Sequence, residues 1–110
     1  MSILINIYYK GENGSPKAFA REMLESGIVE NIRREDGNLR YDYFLPYGDE
    51  NTLLLIDEWR DQRALDIHHA SPMMQKIITL REKYSLTMRV ERYVGDENGI
   101  PKNDKKYIKE

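Results

Sequence analysis

The chain has 110 residues, no cysteine, and seventeen basic against nineteen acidic side chains, for a formal charge of −2. At 13.0 kDa it has the mass of one ordinary domain; the missing cysteines exclude disulfide scaffolds, thiolate metal sites and thiol catalysis, and the charge balance offers no basic excess to draw nucleic acid. No apolar run approaches the roughly 18 residues of a membrane span, and Met1–Lys10 has neither a basic leader nor a long apolar stretch, so a soluble cytoplasmic protein with no membrane partner is expected.

The opening segment, Ser2 to Lys10, is β-branched and aromatic and predicts a strand. Ile3, Ile5, Ile7 and Tyr9 fall on one face, and Leu4, Asn6 and Tyr8 on the other. A turn at Gly11–Gly14 leads to Ser15-Pro16, which predicts a helix start: serine caps a free N–H and proline presets φ in the first turn. Phe19, Ala20, Met23 and Leu24 make the apolar stripe, Gly27 is the left-handed residue after the helix, and Ile28, Val29 and Ile32 predict a short second helical piece. Leu39, Tyr41, Tyr43 and Leu45 alternate with polar residues as a second strand, and Thr52 to Arg60 is a third, joined to it by Gly48–Asn51 as a hairpin. Asp61 caps a helix with Ala64, Leu65 and His68 inside; Ser71-Pro72 restarts one carrying Met73, Met74, Ile77, Ile78 and Arg81. Leu86 to Val94 is the last strand.

The order β-α-β-β-α-β is the ferredoxin-like α+β arrangement, with the first and third strands central and the second and fourth at the edges. Both central strands are apolar on both faces, while helices cover only one. The uncovered face is an interaction surface, and a second copy of the same sheet is its simplest cover, so a homodimer is expected. Residues 1–94 form the domain; 95–110 are polar, with Ile100, Tyr107 and Ile108 the only large apolar residues, and read as a tail or as an arm laid on a partner subunit.

The stretch Asp57-Glu-Trp-Arg-Asp-Gln-Arg-Ala-Leu-Asp-Ile-His-His-Ala-Ser-Pro72 resembles the antibiotic biosynthesis monooxygenase family, whose pattern is an acidic residue, any residue, tryptophan, then Ala-Leu, a histidine and Ser-Pro. The matching residues are Asp57, Trp59, Ala64-Leu65, His68 and Ser71; Arg33 to Tyr43 is similar to the family's approach to the hairpin. The resemblance implies a dimeric α+β barrel with a pocket between sheet and helices. It also implies cofactor-independent oxidation by O2 of a small quinol-like or polyphenolic substrate, or, as in other members, isomerisation on the same scaffold. A non-catalytic small-ligand-binding dimer is the further alternative. Position 73 is methionine where the family often has a second histidine, so chemistry needing that histidine is not available.

An oxygenase without metal or flavin needs a base, a dry aromatic pocket and donors for the developing oxyanion. His68 is the candidate catalytic base, since imidazole exchanges protons near neutrality; His69 is its rival. Trp59, Asn6, Tyr43 and Leu65 are the candidate substrate-binding residues. Each has a structural alternative: Trp59 as core or interface, Asn6 bonded to a neighbour or water, Tyr43 as sheet packing. Asn6 and Trp59 are similar to residues of the haem-degrading members, but Met74–Ser85 contains no histidine to hold iron. No metal or cofactor is expected: adjacent histidines on a helix point about 100° apart and cannot share an ion, and no phosphate-cradling glycine loop is present.

Overall fold

Side chains that alternate at period two place the strands, and the computed structural model describes all residues, Met1–Glu110. β1 (Ile3–Lys10), β2 (Asn38–Phe44), β3 (Thr52–Trp59) and β4 (Thr87–Val94) form one sheet in the order β2-β3-β1-β4. Every neighbouring pair is antiparallel. β1 and β3 are central and β2 and β4 are edges, so the ferredoxin-like topology expected of the sequence is present. No helix is long and apolar enough to cross a membrane.

Helices α1 (Ser15–Glu25), α2 (Ile28–Arg33), α3 (Gln62–His69) and α4 (Pro72–Lys83) contribute the other half of the core. Ile3, Ile5, Ile7 and Tyr9 of β1 face them beside Leu53, Leu55 and Trp59 of β3, and the core closes with Phe19, Met23, Ile32 and Ile77. A four-residue helix, α5 (Lys102–Lys105), lies in the polar tail, where every residue from Asp96 onward is exposed.

Two local expectations are corrected. Neither Ser15 nor Ser71 caps through its hydroxyl, although Ser71 does occupy the N-cap position of α4 with Pro72 beside it. Gly14 occupies the N-cap of α1, so Ser15 lies in the first turn, and both hydroxyls are buried without a partner. Asp61 does cap α3, accepting from the Ala64 N–H at 2.9 Å. Leu39 and Leu45 do not share the inward face of Tyr41 and Tyr43. The register slips between Asn38 and Arg40, which leaves Leu39 as an extra, exposed residue, and Leu45 lies beyond the strand.

Gly37 sets the approach of this region to α3. Its φ of 86° is left-handed, its carbonyl accepts from the Arg60 N–H at 2.8 Å, and a side chain there would meet the Ala64 Cβ at 2.5 Å. The close approach brings the segment before β2 against the helix that carries His68.

Candidate active site

The helix-covered face of the sheet is laid out in rows by strand register. One row runs Tyr41, Asp57, Ile5 and Arg92 across the four strands, and the next runs Tyr43, Leu55, Ile7 and Val90. Towards β2 and β3 the helices close over these rows. Towards β4 they do not: Met88 and Val90 are 41% and 53% exposed although they point to the covered side. The gap is a cavity of about 380 Å³, within the roughly 300–1,000 Å³ typical of small-molecule sites. Ile5, Ile7, Leu55 and Tyr41 form its floor; Leu65, Met74 and Ile77 form its helical wall. Its polar lining is Asp57, Gln62, His68, His69, Arg81 and Arg92. A larger groove of about 750 Å³ between Lys10, Ser15, Lys83 and Thr87 is open polar surface remote from these groups.

His68 is held on two sides. Its Nδ1 lies 2.6 Å from a Glu35 carboxylate oxygen, and its ring stacks on the Trp59 indole with centroids 4.6 Å apart and planes 28° apart. A neutral imidazole that donates from Nδ1 to the carboxylate keeps its lone pair on Nε2, the form required of a base. Burial holds the His68 imidazole below its usual value, against the opposing pull of Glu35. The residue is therefore neutral and able to accept a proton at neutral pH. His69 also borders the cavity, but it is exposed and its ring makes no hydrogen bond to the rest of the chain; its ring centroid is 5.8 Å from that of His68.

Asp57 is the second unusual group. It is 5% exposed, its Oδ1 is buried without a partner, and burial pushes its carboxyl up to about 7. The neighbouring Trp59 N–H pulls the other way without reaching hydrogen-bond geometry, its Nε1 being equally unpartnered; Glu35 adds to the rise and Arg81 opposes it. Near neutrality Asp57 is thus poised between acid and carboxylate. Arg81, on α4, donates from Nε to the Tyr9 hydroxyl at 3.0 Å. Burial raises the Tyr9, Tyr41 and Tyr43 phenols, so all three stay protonated.

The residues singled out from sequence separate into three groups. His68 and Leu65 line the cavity. Trp59 is fully buried behind His68 and supports the imidazole rather than forming the cavity wall, and Tyr43 packs on Phe19 and Tyr41 outside the lining. Asn6 points to the opposite face of the sheet, between Ile56 and Glu91, because it is out of phase with Ile5 and Ile7; the expectation of a substrate contact from this subunit's cavity is corrected there. Sequence reasoning assigned no role to Glu35, Asp57 or Arg81. Asp57 was detectable as the one charge on the Leu53, Leu55, Trp59 face of β3, whereas Glu35 meets His68 across 33 residues of chain with no local signal. No three histidine, aspartate or glutamate residues converge as metal ligands.

Residues 2–80 match the family described as Antibiotic biosynthesis monooxygenase, and the chain belongs to it. It is 29% identical over 76 residues to a Bacillus subtilis (strain 168) protein named "Putative monooxygenase YcnE", covering 69% of this chain and 78% of that one. The fold is shared with a Deinococcus radiodurans structure described as a "putative antibiotic biosynthesis monooxygenase", at a TM-score of 0.71 and 22% identity over 88% of this chain and 94% of that one. A conserved protein from Methanosarcina mazei Go1 superposes with a TM-score of 0.74 at 18% identity, over 87% of this chain and 94% of that one.

Proposed function

We propose that this member of the antibiotic biosynthesis monooxygenase family oxidises a small quinol-like or polyphenolic substrate with O2, and that His68 is its base. One observation carries the reading: an imidazole fixed by Glu35 at 2.6 Å and stacked on Trp59, in the wall of a largely apolar cavity. His68 Nε2 takes the phenolic proton, and the electron-rich anion passes an electron to O2. Superoxide and the ring radical then combine to form a C–O bond. The peroxide takes back the proton held by His68; loss of the C–H proton at the oxygenated carbon then breaks the O–O bond, so that one oxygen stays on the substrate as a carbonyl and the other leaves as water with those two protons. Ile5, Ile7, Leu55 and Leu65 exclude bulk water from these steps, which favours charge stabilisation by the fixed polar groups.

The functional unit in this proposal is a homodimer. On the open face, Leu4, Tyr8, Leu54 and Ile56 are only half-buried, and Phe44 and Tyr93 are 42% and 51% exposed. Asn6 Oδ1, at the centre of that face, is buried without a donor. The rim pairs Arg89 with Glu91 and Arg40 with Asp42, so charges of both signs are available to a two-fold copy.

A second reading, isomerisation, is favoured by Asp57. A carboxyl that ionises at about 7 in the same cavity supplies a second proton-transfer group without any need for oxygen. Oxygen uptake by the purified protein with a panel of quinols and anthrols separates the two. The monooxygenase reading expects uptake that falls by at least about 100-fold in His68→Ala. Turnover that continues without oxygen supports the isomerase.

A further inference from the structure

The cavity is lined by two guanidinium groups that no carboxylate pairs with. Arg81 and Arg92 both line it, and neither forms an ion pair. Arg81 is half-buried: Nε is taken by the Tyr9 hydroxyl at 3.0 Å and the guanidinium carbon lies 5.4 Å from the centre of the Tyr9 ring, while both Nη groups donate to no protein atom. Arg92 donates only to the neutral Gln62 side chain, at 2.7 Å, and Gln62 in turn donates to Asp66 at 2.8 Å. The one acid in the lining, Asp57, is within ion-pair distance of neither arginine. Glu35 is engaged by the Nδ1 side of His68 and does not border the cavity. A half-buried arginine that lines the cavity and keeps both Nη groups unbonded is matched by a planar, bidentate anion.

We propose that the natural ligand of this cavity is an aromatic acid, a one- or two-ring body whose carboxylate is held by the Nη groups of Arg81, with Arg92 adding attraction at the β4 mouth. The inference rests on the reading of this cavity as the active site and adds the substrate class: the phenol presented to His68 carries a permanent negative charge elsewhere on its frame. A monoanion fits better than a dianion such as a phosphate ester. The lining has a single half-buried guanidinium, Arg92 being exposed, and it carries one acid, Asp57, so it offers too little positive charge for two negative ones. The apolar floor of Ile5, Ile7 and Leu55 receives the ring.

The experiment is calorimetric titration of the full-length protein with 1-naphthoate and with 1-naphthol near neutral pH, where the first is ionised and the second is not. The expected result is naphthoate bound at least about tenfold more tightly, with the preference shrinking as salt is added. Arg81→Gln should abolish that preference, Arg92→Gln should reduce it by a smaller factor, and Lys17→Gln, on the outer surface of α1, should leave it intact. Should Arg81→Gln fail to fold, Arg81→Lys decides the matter: it keeps the charge but loses the fork, so a reduced preference supports the assignment and an undiminished one overturns it. Equal binding of the two probes, tighter binding of naphthol, or binding of neither overturns the proposal. Naphthoate binding without oxygen uptake from any phenolic acid supports the anion site and removes the oxygenase reading; oxygen uptake from neutral naphthols with no preference for naphthoate does the reverse.

Discussion

The two faces of the sheet are built by the same two central strands, yet they carry different chemistry. On the covered face, Ile5, Ile7, Leu55 and Trp59 are nearly or fully removed from water, and polar groups among them have shifted acidities: Asp57 is raised to about 7 and His68 is lowered, both chiefly by burial. On the other face, Leu4, Tyr8, Leu54 and Ile56 keep part of their surface in water, and the flanking charges pair with one another. A step of one residue along β1 or β3 moves a side chain from one regime to the other. Asn6 and Asp57 make the contrast concrete. Both are polar groups with a buried, unpartnered oxygen, but one faces the surface assigned to a second copy and the other faces the cavity.

The largest effect expected from breaking this contrast is on the open face. Ile56→Asp would put a charge at the centre of the proposed dimer contact and should convert a species of twice the 13.0 kDa chain mass into a monomer. Light scattering reads this directly, and ligand binding in the cavity should survive. An Ile56→Asp protein that stays dimeric would contradict the assignment of this face.

A smaller effect is expected at Asp57. Its folded-state value of about 7 lies above the ordinary 3.8, so the folded protein holds a proton that the unfolded chain releases. That contribution is fully present below the unfolded value and is lost as the pH rises through about 7, a change of up to about 4 kcal/mol. In Asp57→Asn it is absent. The difference in unfolding free energy between wild type and variant, measured by denaturant titration from acid to mildly alkaline pH, should move against the wild type as pH rises. A flat difference would mean that Asp57 is not buried as a carboxyl.

The smallest effect is expected behind His68. Glu35 opposes the burial that lowers the imidazole, so Glu35→Gln should lower its titration midpoint further. Trp59, the sole tryptophan, stacks on that ring and reports its protonation by quenching. A midpoint that rises in Glu35→Gln would contradict the 2.6 Å contact.

Much of this architecture is legible in the sequence because periodicity is a local property. Ile3, Ile5, Ile7 and Tyr9 declare both the strand and its inward face, and Asp61 and Gly27 mark helix ends by chemistry confined to a few residues. Where two local devices compete, the reading fails. Leu39 has the right alternation for the inward face, but the bulge beside it removes it from the ladder. The site is only half legible. His68 and Leu65 lie on a helix face set by its own period, and they line the cavity. Glu35 reaches His68 only because the turn at Gly37 packs on Ala64, a tertiary approach that no short pattern encodes. Arg81 sits one helical turn beyond Ile77 at the end of the apolar stripe, where an arginine reads as solvated; its contact with Tyr9 follows from how α4 crosses the sheet.

The central claim is that His68 removes a proton from a phenol bound in the cavity. It is tested most directly by the pH dependence of oxygen uptake with a phenolic substrate in wild type and His68→Ala, with ligand binding measured beside it. Near neutral pH uptake should fall by at least about 100-fold in His68→Ala while binding persists, and it should recover towards the wild-type rate as the pH approaches the ionisation of the free phenol. Equal uptake by the two proteins near neutral pH, or a loss in the variant that alkaline pH does not relieve, would contradict it.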